Sequence, residues 1–163
     1  MADYGKVFRR IWSSPNFMAS IEDARMMTLY LLTTEHGTSE GLFKLPVAYA
    51  ANDLRWTFER ASNALAELVR TGFIGYDDDL GIVLIRKALE FNKPQSPNNI
   101  KGAANALAEL RDTPLRQMFL KQCDAYCPEL AEALTSDNGW IRADQADDEP
   151  EGMADTDDGP SKD

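Results

Sequence analysis

The chain has 163 residues, of which 44% are hydrophobic and 27% charged, and a formal net charge of −10. That composition suits one globular domain with an appendage, and no apolar run approaches the ~20 residues needed to cross a bilayer, so no membrane partner is expected. Two cysteines and one histidine exclude a disulfide scaffold and a Cys/His zinc site, and they fit a reducing compartment. The opening residues MADYGKVFRR lack the apolar core of a cleaved export signal,.

The charge is unevenly spread. Residues 143–163 hold nine acids and one base, a net of −8, whereas residues 1–142 hold 18 acids and 16 bases, a net of −2. The tail has almost nothing apolar to bury, so a disordered acidic segment is expected over residues 142–163. Two roles suit it: a solubilising tail, or an arm that mimics nucleic acid on a basic surface.

In chain order, Lys6 to Trp12 reads as a strand or one helical turn, broken by Ser13-Ser14-Pro15-Asn16,. Ser20 then reads as an N-cap, with Asp23 three residues on,. Ile21, Ala24, Met27 and Leu31 carry a helix to about Thr34, and Gly37 ends it,. Gly41 to Leu45 is a short extended run closed by Pro46, and a short helix follows over residues 47–54,. Arg55-Trp56 makes a tight turn and Thr57 caps the next helix, over residues 58–71,. Its buried face is expected to be Phe58, Ala61, Leu65, Leu68 and Val69, with Gly72 as the left-handed stop,. A hairpin follows, with strands at residues 73–76 and 82–85 and an acidic tip at Asp77-Asp78-Asp79,. Helix, strand, helix, turn, helix, hairpin is the element order of a winged helix-turn-helix. The expected fold is therefore mainly α with a small β-hairpin: a winged-helix domain over residues 3–92, then a linker and helical extension over residues 93–141. In that extension Ser96 and Pro97 start one helix, running to about Leu110, and Thr113-Pro114 announces a second, running to about Tyr126,. Pro128 to Leu134 adds a turn or two. Leu107 and Leu110 need cover, either from Leu115, Met118 and Phe119 or from a second copy, so a monomer or weak homodimer is expected.

Several of these residues carry a resemblance. Gly41-Leu42-Phe43 with Leu45-Pro46, the run Ala64-Leu65-Ala66-Glu67-Leu68 with Gly72-Phe73-Ile74, and Tyr76-Asp77 with Ile82-Val83-Leu84-Ile85 are one part. The stretch Asn92-Lys93-Pro94-Gln95-Ser96-Pro97-Asn98-Asn99-Ile100-Lys101-Gly102 is the most specific part. Over residues 7–120 the chain resembles the winged-helix N-terminal region of phage replication proteins of the replisome-organiser, DnaD-like type. The resemblance implies DNA binding in replication initiation or its regulation, in the cytoplasm of a bacterial host cell. Residues 113–134 are too few for the further helical domain with which such proteins engage a helicase or its loader, which leaves DNA binding or a regulatory role.

A winged helix lays one helix in the major groove. With its buried face fixed as above, the helix over residues 58–71 presents Arg60, Asn63, Glu67 and Arg70. Arg60 and Asn63 suit guanine and adenine edges. Arg55 and Thr57 stand where phosphates meet a helix N-terminus. Arg9, Arg10, Arg86 and Lys87 are flanking cations for the phosphates,. Trp56 either stacks on a base or fills the gap between two helices. Glu67 and Asp77-Asp78-Asp79 oppose tight DNA binding. The alternative is a protein-interaction module that binds a replication or host regulatory protein without DNA. Lone His36 reads as a solvated turn residue, and Cys123 and Cys127 make no metal site,. No residue set supplies an acid, a base and a nucleophile, and no Gly-rich loop cradles a phosphate, so neither catalysis nor a cofactor is expected.

Overall fold

The computed structural model describes residues 4–145. The acidic tail lies, from residue 146 onward, outside the described residues. The fold is mainly helical with one small antiparallel sheet. After a 3-10 turn at Arg9–Ser13 come α1 (Pro15–Ala19), α2 (Glu22–Thr33), β1 (Leu42–Lys44), α3 (Val47–Leu54), α4 (Phe58–Arg70), β2 (Ile74–Asp77) and β3 (Ile82–Ile85). The remainder is α5 (Ala88–Asn92), α6 (Pro97–Leu107), α7 (Arg116–Tyr126) and α8 (Pro128–Asp137).

Local chemistry explains most boundaries. Pro15 takes the first position of α1, so the segment expected to break the chain starts a helix instead,. Ser20 does not cap α2: its hydroxyl donates to the Asn16 carbonyl at 2.7 Å and closes α1. Glu22 and Asp23 in the first turn of α2 stabilise its N-terminus in place of a side-chain cap,. Thr57 caps α4 as expected, its Oγ1 accepting from the Arg60 N–H at 3.2 Å,. Between α3 and α4, Arg55 adopts the left-handed conformation with φ 58° and ψ 36°. The Trp56 N–H then reaches back to the Ala51 carbonyl at 2.9 Å,.

The expected hairpin is part of a three-stranded sheet, ordered β1-β3-β2. Leu42 pairs with Leu84 and Phe43 with Val83, while Ile74 and Tyr76 of β2 pair with Ile85 and Val83. Every residue of the central strand β3 is buried. Side chains alternate between faces along a strand. Phe43, Val83 and Ile85 therefore join a core with α2, α3 and α4, whereas Leu42, Ile82 and Leu84 join a second core with α6, α7 and α8. The sheet is the middle of three layers, which is why β3 reads as an unbroken apolar run.

The C-terminal helical layer is more extensive than the sequence suggests. α8 runs ten residues rather than a turn or two. Ala103, Ala104 and Leu107 of α6 pack with Leu130, Ala131 and Leu134 of α8. Leu107 and Leu110 are thus covered within the chain, by Leu115, Met118 and Phe119 among others. Trp140 closes this core: it is fully buried, with its indole N–H donating to the Leu107 carbonyl at 3.2 Å. A β-carbon at Gly75 would sit 2.9 Å from Leu115 Cδ2, so the start of α7 lies close on β2,.

Asp77 is not part of an exposed acidic tip. It is buried, accepts the N–H groups of Asp79 and Leu80 at 3.1 and 3.2 Å, and takes the Thr113 hydroxyl at 3.0 Å. It fastens the hairpin to the C-terminal layer. Only Asp78, Asp79 and Leu80 stand out in solvent there.

Candidate nucleic-acid interface

The outer face of α4 is where the sequence places its reader, and the fold leaves that face open. Ala61, Ala64, Leu65 and Leu68 turn inward. Phe58 and Val69, expected inside, are 62% and 44% exposed. The small alanines at 61 and 64 let α4 approach α2 and α3 closely, which rotates the larger flanking residues outward. Glu59, Arg60, Asn63, Ala66 and Arg70 share the exposed side. The C-terminal helices pack on the far face of the sheet and cover none of this.

The two arginines on this face have partners. Arg60 binds Asp23 of α2 in a bidentate pair, Nε to Oδ2 at 2.9 Å and Nη2 to Oδ1 at 2.8 Å. Its guanidinium lies 4.2 Å from the Trp56 ring centroid, a cation–π distance. Trp56 is half-buried against the α2–α4 core, so the indole packs between helices and Arg60 covers its outer side. The Arg60 hydrogen bond holds the Asp23 carboxyl below the usual carboxylate range, and Asp23 in turn raises the guanidinium of Arg60. Arg70 forks onto Glu67 one turn back, with Nε to Oε2 at 2.9 Å. That pair lowers Glu67 through its hydrogen bond. Both pairs face solvent, where ion pairs of this kind are weak and exchange for stronger anions.

Arg55 differs. It is exposed, takes part in none of the ion pairs among the described residues, and is their only non-glycine residue with positive φ. A left-handed conformation costs a residue with a β-carbon ~1–2 kcal/mol, and glycine would hold this turn more cheaply. Thr57 spends its hydroxyl on the cap. Asn63 stands exposed between the two arginine pairs.

The flanking cations fall elsewhere. A β-carbon at Gly72 would meet Arg86 Nη1 at 3.7 Å, which puts Arg86 at the C-terminal end of α4. α4 has thirteen residues, so Arg55 and Arg86 are separated by about 20 Å of helix. Arg10 lies over the Phe91 ring of α5 at 4.4 Å and the Phe8 ring at 5.2 Å. Arg9 and Lys87 are exposed nearby in sequence, on the 3-10 turn and just before α5. The nine expected residues thus divide into α4 with its N-terminal turn (Arg55, Thr57, Arg60, Asn63, Arg70), its C-terminal end (Arg86), and the N-terminal segment with α5 (Arg9, Arg10, Lys87).

One polar cluster escaped the sequence reading. His36 is not simply solvated: its Nε2 is 3.2 Å from Asp53 Oδ2, and its ring is 5.4 Å from that of Tyr49. The Tyr30 hydroxyl donates to the same Asp53 oxygen at 2.6 Å. Burial and that bond push Tyr30 up to about 12, and the same bond lowers the Asp53 carboxyl. The cluster ties the end of α2 to α3. Cys123 and Cys127 are buried free thiols, and burial pushes Cys123 far up. Among the described residues no His, Cys, Asp and Glu are grouped to hold a metal ion, and no helix is long and apolar enough to cross a membrane. No family model, curated protein or solved structure matches the chain.

Proposed function

We propose that this is a DNA-binding winged-helix protein of phage type, acting in replication initiation or its regulation. Two helices joined by a three-residue turn, followed by a hairpin whose inner strand pairs with a preceding strand, support the winged-helix reading. The observation that carries the DNA reading is the open outer face of α4, headed by an arginine kept in a left-handed turn. Such strain is retained where a side chain has work to do.

In this reading α4 enters the major groove. Asn63 hydrogen-bonds an adenine edge, and Arg60 trades Asp23 for a guanine edge at small cost because the pair is exposed. Arg55 and Arg86 grip phosphates at the two ends of the helix. Asp78 and Asp79 repel phosphate, so the hairpin tip stays off the backbone. Selection from a random duplex library tests this: the wild-type chain enriches a motif, and Asn63→Ala relaxes one position of it. Enrichment of no motif removes base readout.

A second reading is favoured by one observation. Phe58 and Val69 are exposed along one flank of α4, whose outer arginines are already paired. Such a face also suits a protein partner with an apolar patch, such as a replication or host regulatory protein. That association would be nearly insensitive to salt, whereas DNA binding is steeply dependent on it.

A further inference from the structure

The N-terminal segment stands away from the body and leaves a groove of about 1320 Å³ between itself, the last turn of α2, the end of α4 and α5. The segment is seated firmly at its start: a β-carbon at Gly5 would clash with the Leu32 carbonyl oxygen. From the N-terminal segment Tyr4, Lys6, Phe8 and Arg10 line the groove, rings interspersed with cations, and Trp12 lies just beyond them in the chain. Phe8 is 45%, Trp12 60% and Phe91 41% exposed. Phe8 and Phe91 pack with ring centroids 5.5 Å apart and planes tilted by 52°, with the Arg10 guanidinium 5.2 and 4.4 Å from the two centroids. Trp12 stands edge-on to Phe17, which lines the groove.

The electrostatics run against the rest of the molecule. The chain carries −10, yet the groove walls carry Lys6, Arg10 and Lys87 against a single carboxylate, Glu35. Nine serines and threonines also line it, offering hydroxyls to phosphate or sugar oxygens.

We propose that this groove binds single-stranded nucleic acid, with bases stacked on Phe8 and Phe91 within it and on Trp12 at its edge beside Phe17, and phosphates held by Lys6, Arg10 and Lys87. Exposed rings spaced among cations match a strand that presents alternating bases and phosphates. A duplex keeps its base faces stacked inside and has none to offer these rings. A purely apolar partner has no use for three cations in the walls. The site is separate from the outer face of α4. Loss of duplex binding with single-strand binding intact removes the α4 reading and keeps this one.

The test uses the full chain and labelled oligo-dT or oligo-U of about 20 nucleotides, with fluorescence anisotropy at low salt. Binding to either oligomer is expected, with quenching of tryptophan emission. Phe91→Ala and Trp12→Ala each weaken it about fivefold or more, without changing the salt slope, because they remove stacking and no charge. Lys6→Gln with Lys87→Gln flattens the slope by about one to two counterions. If Phe91→Ala does not fold, as judged by circular dichroism, the more exposed Trp12→Ala carries the stacking test. Absence of binding to both oligomers at low salt overturns the proposal, and so does binding that the aromatic substitutions leave within about twofold of the wild type.

Discussion

Arg55 is the residue at which a left-handed backbone angle coincides with the proposed phosphate contact. Replacing it by glycine relieves the left-handed strain but loosens the unfolded chain. The net expectation is a gain of about 0.5–1 kcal/mol in stability by urea unfolding, together with weaker duplex binding. A loss of stability instead would mean that the arginine side chain itself holds the turn. The tyrosines make a second prediction. Tyr30 and Tyr76 are each pushed up to about 12, mainly by burial, so two of the five tyrosines keep their protons longer when folded than when unfolded. Their contribution is complete below the ordinary value near 10 and is lost as pH rises through about 12,. A thermal melt series should fall across that window, and tyrosinate absorbance should develop in two steps. Single-step titration would show both hydroxyls to be free. At this scale the sequence was legible where the partner is close by: Thr57 caps a residue three positions on. It was not legible for Asp23 and Arg60, which are 37 positions apart and meet only once α2 packs on α4.

Elements were legible in order and less so in orientation. Periodicity located α2, α3, α4 and the hairpin. It misjudged which face of α4 is buried, because Phe58 and Val69 weigh heavily in a hydrophobic pattern while the alanines that make the contact weigh little,. The apolar run Ile82-Val83-Leu84-Ile85 was read as one hairpin strand. Its lack of alternation was the available sign that both faces are covered. The C-terminal layer was underestimated because Ala-rich α6 and the short α8 carry thin apolar stripes that become a core only with the sheet and Trp140. Trp140→Ala should therefore cost about 3–5 kcal/mol. Because both cores share the sheet, unfolding followed by circular dichroism and by tryptophan fluorescence should coincide in one transition,. Two separate transitions would mean that the layers fold independently.

The whole molecule is acidic, yet two surfaces present cations, the ends of α4 with Arg55 and Arg86 and the N-terminal groove with Lys6, Arg10 and Lys87. The net charge of −8 over residues 143–163 should weaken anion binding at both, most at low salt where screening is least,. In the proposed function α4 binds duplex DNA through its open face. The salt dependence of duplex affinity tests it most directly, measured for the full chain, for a chain ending at residue 145, and for Arg55→Ala in each. Log K should fall linearly with log salt, binding should be tighter without the tail at low salt, and the slope should be about one counterion shallower for Arg55→Ala. Duplex affinity that is absent at low salt without the tail, or a slope that Arg55→Ala leaves unchanged, would contradict it.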